Sequence, residues 1–170
     1  MARKKMPPFA ALKEACADQT APFAVKVPYP PRVIWPNGRA HWSVKAGAVK
    51  TARTSAGLIA LEALCGNPPP KWHRVRVSCV WWVASSRGGA MSADRDNRIA
   101  ALKASIDGLC DAGIIENDRG VEWGAVETGG VDEADPGVVL MIEPLPEVSC
   151  RDCAALPGRP HMASCPRNKP

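Results

Sequence analysis

The sequence predicts an α/β fold of the α+β kind: one small domain in which a mixed β-sheet is packed by two main helices, followed by a short Cys/His zinc-type tail. Three stretches carry that expectation. Residues 74–83 alternate, with Val75, Val77, Cys79, Trp81 and Val83 on one face and Arg74, Arg76, Ser78, Val80 and Trp82 on the other, which is the period of a β-strand. Residues 97–111 place Ile99, Leu102, Ile106 and Leu109 at spacings of three, four and three, one apolar stripe of an α-helix. Residues 46–65 repeat the helical pattern through Val49, Ala52, Ala56, Ile59 and Ala63.

The other elements follow in chain order. Residues 1–22 read as a flexible basic arm, with Arg3, Lys4 and Lys5 near its start and a short helix over Phe9 to Ala17. Residues 23–28 alternate through Phe23, Val25 and Val27 and read as a strand, stopped by Pro28, Pro30 and Pro31 because proline removes ladder donors. Arg32 to Ser43 reads as a loop with Asn37-Gly38 as its turn signal. Aromatic and basic residues interleave there, so Trp35 and Trp42 either stack on nucleic-acid bases or fold beneath the loop as a satellite core. Gly66 to Pro70 ends the first helix, and Ser85 to Ala90 forms a loop leading to Asp94. Residues 121–127 and 138–143 read as a hairpin joined by an exposed loop, whose Asp132, Glu133 and Asp135 read as solvating charges rather than metal ligands.

Composition narrows the class. The 170 residues are 46% hydrophobic, which suits one domain with a buried core. No run of eighteen apolar residues occurs, so no membrane partner is expected. The charged start, Met1 to Met6, meets prolines rather than an apolar segment, so no export signal is expected. The net charge of +5 permits binding to a polyanion. Seven cysteines without an export signal point to a reducing compartment, and Cys16, Cys65 and Cys110 read as small hydrophobes.

Chemistry concentrates between Asp94 and Asp118. Asp94 and Asp96 stand one residue apart at the start of the second helix, and Lys103 lies two helical turns beyond Asp96. Asp96 or Asn97 is the expected N-cap, Gly113 suits a left-handed C-terminal cap, and Asp118 follows the extended Ile114-Ile115 at the next turn. A helix folding back onto that turn brings Asp94, Asp96, Lys103 and Asp118 into one pocket. There a hard divalent cation relieves carboxylate repulsion, and the lysine stabilises charge developing on phosphate. The same residues also fit a capped surface helix in which Lys103 and Asp107 form an i,i+4 ion pair beside a solvated loop.

Asp94-x-Asp96-Asn97, Lys103-Ala104-x-x-Asp107-Gly108-Leu109, Ala112-Gly113-Ile114-Ile115 and Asn117-Asp118, with Pro28-Tyr29-Pro30-Pro31 upstream, resemble the RusA family of Holliday junction resolvases. These are crossover junction endodeoxyribonucleases common in bacteriophage and prophage genomes. The similarity extends over about residues 23–145. The resemblance implies that residues 23–146 form a nuclease domain, that Asp94, Asp96 and Asp118 bind Mg²⁺ (or Mn²⁺), and that Lys103 is the catalytic lysine. It further implies a homodimer that resolves four-way DNA junctions by paired nicking, in recombination and repair, in the cytoplasm of a bacterial host cell. Candidate DNA contacts are Arg32, Arg39, Lys45, Lys50, Arg53, Arg87 and Arg95. Two rival readings are a nuclease for other branched DNA and a non-catalytic, zinc-tailed DNA-binding protein.

The tail, residues 147–170, has its own pattern. Cys150, Cys153, His161 and Cys165 follow Cys-x2-Cys-x7-His-x3-Cys, three thiolates and one imidazole suited to tetrahedral Zn²⁺. A unit this small folds only with its metal.

Overall fold

The structure, a computed structural model, describes residues 22–85 and 93–146. The basic arm over residues 1–21, Arg87 and the rest of residues 86–92, and the tail with Cys150, Cys153, His161 and Cys165 lie outside the described residues.

The sheet is built around its last strand. β4 (Gly137–Pro144) is apolar along most of its length, and Val138, Val139, Leu140 and Ile142 are all buried. A strand apolar on both faces belongs in the interior of a sheet. β4 accordingly lies between β1 (Phe23–Pro28) and β2 (Val75–Val83), antiparallel to both, and β3 (Val121–Val131) pairs in parallel with β2 at the outer edge. The order β1-β4-β2-β3 corrects the expected hairpin, because β2 stands between β3 and β4. The parallel β2–β3 pair instead needs a crossover, which is the second helix. β3 carries Glu122, Glu127, Gly124, Gly129 and Gly130, a composition that suits an edge. It runs on to Val131, so only residues 132–136 connect it to β4. Within that connection, Asp135 pairs with Lys26 of β1 at 2.6 Å and the Asp132 carboxylate accepts the Asp135 amide at 3.0 Å.

The alternation in β2 holds: Val75, Val77, Cys79, Trp81 and Val83 are buried. The first four form the core with Leu102, Ile106 and Leu109 from α2 (Arg95–Asp111) and Ala56 and Ala60 from α1 (Trp42–Ala63). Burial pushes the Cys79 thiol up to about 11, so it stays protonated at neutral pH.

Both helices start ahead of their expected positions. α1 begins at Trp42, with the His41 side chain accepting the Ser43 amide at 3.4 Å. Residues 42–47 are all exposed, so they carry no apolar period for the pattern to register. α2 begins at Arg95 because Asp94, rather than Asp96 or Asn97, is the cap: its Oδ1 accepts the Asn97 amide at 2.9 Å. At the other end Gly113 takes φ +73 as expected. Ile114 N donates to Leu109 O and Gly113 N to Cys110 O, both at 3.0 Å, the paired bonds of a Schellman motif.

The helices meet backbone to backbone. A Cβ on Gly108 would lie 2.1 Å from the Arg53 carbonyl oxygen, and one on Gly57 3.0 Å from the Gly108 carbonyl. Arg53 braces the crossing with a two-pronged bond to Asp111, at 2.5 and 2.6 Å. Gly108→Ala forces the helices apart and is expected to cost about 1–3 kcal/mol. Urea unfolding of the full chain measures this, and unchanged stability would show that the helices do not touch at that point.

Candidate functional site

Sheet direction places the candidate residues at two different ends. β1 and β2 both run antiparallel to β4, so their C-terminal ends share one end of the sheet. The loop after β1 and the start of α2 belong to that end. A cavity of about 790 Å³ opens there, lined by Tyr29, Arg32, Trp35 and Arg39 from the loop, Val83 from β2, and Asn97 from α2. Ala93 also lines it, so Ala93 and Asn97 bracket the exposed Asp94–Asp96 turn.

Asp118 lies elsewhere. β3 runs parallel to β2, and Val121 pairs with Val75 at the start of both strands. Ile114 and Ile115 are fully buried and tied to the segment ahead of β2, with Lys71 N donating to Gly113 O and Trp72 N to Ile114 O at 2.9 and 3.1 Å. The Asn117 side chain then accepts the Arg119 amide at 3.0 Å and opens a 3₁₀ turn over Asp118–Gly120. That turn lays the Asp118 carboxylate on Lys103, 2.9 Å from Nζ.

The fold therefore brings Lys103 and Asp118 into contact, whereas Asp94 and Asp96 stand at the N-terminal start of α2. Seven residues of helix put Asp96 and Lys103 roughly 10 Å apart along the axis. Among the described residues, no three His, Cys, Asp or Glu side chains are grouped to hold a metal ion. Lys103 also reaches Asp107 at 3.5 Å, so the expected i,i+4 pair coexists with the contact to Asp118. The Lys103 ammonium holds the Asp118 carboxyl below the usual carboxylate range, and the Asp118 carboxylate raises Lys103 in return.

The candidate DNA contacts divide into two sets. Arg53 is committed to Asp111, and Arg95 donates to the carbonyls of Trp123 and Gly124 at 3.2 Å, tying α2 to β3. Arg32, Arg39, Lys45 and Lys50 form no ion pair with any described carboxylate. From residue 19 to residue 61 the chain has six lysines and arginines and no aspartate or glutamate, so this surface stays cationic.

The two tryptophans of the loop also part company. Trp35 packs into an aromatic group with Tyr29 and Trp81, at centroid distances of 6.3 and 5.6 Å, and its indole donates to Pro30 O at 3.0 Å. Trp42 is 74% exposed. Sequence reasoning missed Arg98, which is buried with its guanidinium 5.8 Å from the Trp81 ring and donating to Thr128 Oγ1 at 2.8 Å. Its signal was readable. Arg98 stands three and four residues before Ala101 and Leu102, so it falls on the buried face of its helix, where a charge needs partners.

No protein-family model matches the chain. An uncharacterized protein of Xylella fastidiosa (strain Temecula1) is 31% identical over 105 residues, 61% of this chain and 66% of that protein. The chain thus spans just under two thirds of that relative's length. No helix among the described residues is long and apolar enough to cross a membrane.

The Lys103–Asp118 pair sets a pH dependence. Asp118 titrates below its unfolded value, so the pair stabilises the fold above about pH 4 and that contribution is lost as pH falls through the lowered folded value. Lys103 is raised, so the contribution is also lost as pH climbs beyond about 10 and through the raised value. Carboxyl NMR titration should find Asp118 lowered in the native chain and back in the ordinary range in Lys103→Met. An identical Asp118 titration in both would rule out the pairing in solution.

Proposed function

We propose that this protein is a divalent-metal-dependent endodeoxyribonuclease that cuts four-way DNA junctions as a homodimer, in recombination and repair, in the cytoplasm of a bacterial host cell. One observation carries the reading: the cavity that Arg32 and Arg39 line also reaches Ala93 and Asn97, the residues on either side of the exposed Asp94–Asp96 segment. A carboxylate pair beside a cationic cleft suits a phosphodiester, which needs its charge matched along the backbone and a hard cation at the scissile position. The described likeness in motif order to junction resolvases supports the same reaction class.

The donor chemistry fits Mg²⁺ in part. Mg²⁺ is ordinarily held by one or two carboxylates with waters and substrate phosphate. Asp96 and the Asp94 oxygen not engaged by the Asn97 amide would supply that set. Asp118, which the motif likeness offers as the third carboxylate, lies against the Lys103 ammonium at 2.9 Å. Bound there, the ion would activate water and neutralise the scissile phosphate. Arg32 and Arg39 hold flanking phosphates, and the stem of Lys103, which points toward the helix start, spans part of the roughly 10 Å of axial rise to Asp96, so its ammonium stabilises charge on the leaving oxygen once phosphate competes with Asp118 for it. A two-fold dimer matches the two-fold symmetry of a junction and gives paired nicks.

Asp96→Asn should bind a four-way junction in a gel shift and fail to cleave it, and Lys103→Ala should slow cleavage by ~10²–10³. Full cleavage by Asp96→Asn would remove that carboxylate from the site. A second reading, a non-catalytic DNA-binding protein, draws on Arg32, Arg39, Lys45 and Lys50 alone, which form no ion pair with any described carboxylate. It predicts junction shifts without nicks whether Mg²⁺ is present or chelated. Junction, fork and duplex substrates compared side by side separate a resolvase from a nuclease for other branched DNA.

The tail residues Cys150, Cys153, His161 and Cys165 complete the proposal as a Zn²⁺ site. Protein purified without chelator should contain one zinc per chain by elemental analysis, and none would end that part of the reading.

A further inference from the structure

We propose that Trp42 is a stacking wedge for unpaired bases at a DNA branch point, an assignment that rests on the nucleic-acid reading above. Trp42 is the most exposed large hydrophobic side chain among the described residues, at 74%. It is not part of the core, and residues 41–47 around it are exposed without exception, so this end of α1 projects from the body. An indole left in water is costly unless something covers it.

Its surroundings select the covering partner. Arg39 and Lys45 lie within three residues of it, Lys50 lies two turns further along α1, and none pairs with a described carboxylate. The His41 ring stands beside the indole at 5.6 Å between centroids. A second aromatic face flanked by unpaired cations fits a stacked base on a polyanionic strand, whereas an apolar protein surface would have to bury those charges. Position supports the same occupant. Arg39 and Ala40, immediately ahead of the projecting end, line the cavity that also reaches Asn97 beside the Asp94–Asp96 turn. A strand held by Arg32 and Arg39 over that cavity leads its neighbouring base to Trp42. In perfect duplex every base is already stacked inside the helix, so the wedge acts only where a branch leaves a base free.

The test compares Trp42→Ala and Trp42→Phe with the native full chain on a four-way junction, with 2-aminopurine at the branch point, and on plain duplex. Far-UV circular dichroism checks the fold and light scattering the oligomeric mass. Trp42→Ala should weaken junction binding about tenfold, leave duplex binding within about twofold, and abolish the 2-aminopurine change seen with native protein. Trp42→Phe should retain most of the junction binding. Arg39→Ala should weaken binding to both substrates and flatten the salt dependence. Equal binding of native and Trp42→Ala protein to the junction overturns the wedge while leaving the nuclease reading intact, as does an equal loss on duplex. A fall in oligomeric mass in Trp42→Ala overturns it in favour of a contact between copies. Failure of the native chain to bind either DNA overturns the wedge and the nucleic-acid reading together.

Discussion

The close approach of α1 and α2 at Gly57 and Gly108 is the constraint on which the rest depends. At Gly108 the backbones meet with room for nothing larger than hydrogen, and at Gly57 a methyl would already be tight. Ala56 and Ala60 continue the small-residue face, and the Arg53–Asp111 fork locks the rotation of one helix against the other. Once α2 is held this way its two ends are placed. The Asp94 cap then sits beyond β2 at the cavity, and the Gly113 turn feeds Ile114 and Ile115 into the core beside Trp72.

Charge is distributed along this frame with a clear bias. The region from β1 through most of α1 carries cations alone, and the acids of α2 and its following turn answer only some of them. Where the two meet at the surface, at Lys26–Asp135 and Arg53–Asp111, the pairs join elements distant in sequence. Where they do not meet, at Arg32, Arg39, Lys45 and Lys50, the cations gather near the cavity and the projecting end of α1. Arg98 works on the inside of the same region. It links α2 to β3 through Thr128 and lies against the Tyr29–Trp35–Trp81 group that supports the cavity loop. Burial raises the Tyr29 phenol, and the nearby Arg98 and Arg32 charges draw it back.

Local features of this chain were legible before any coordinates. The alternation of β2, the stripe from Leu102 to Leu109 and the left-handed Gly113 all follow from residues a few positions apart. The exposed start of α1 was not legible, since a helix that buries nothing leaves no apolar period. The i,i+4 pair of Lys103 with Asp107 was legible in the helix spacing, whereas its contact with Asp118, fifteen positions away, needed the fold. Of the loop tryptophans, Trp35 packs beneath the loop, as the satellite-core reading expects, and Trp42 stands in solvent.

By itself the sequence determined which face of each element is apolar and where the second helix stops, because side-chain period and backbone caps act within a turn or a strand. Tertiary structure alone decided that β4 enters between β1 and β2 and that β3 lies outside, because alternation marks a buried face without naming its neighbour. That pairing runs β3 parallel to β2 and sends the chain back along the whole length of α2. Asp118 is thereby delivered to Lys103, a placement set by strand direction and by no residue near the carboxylates themselves.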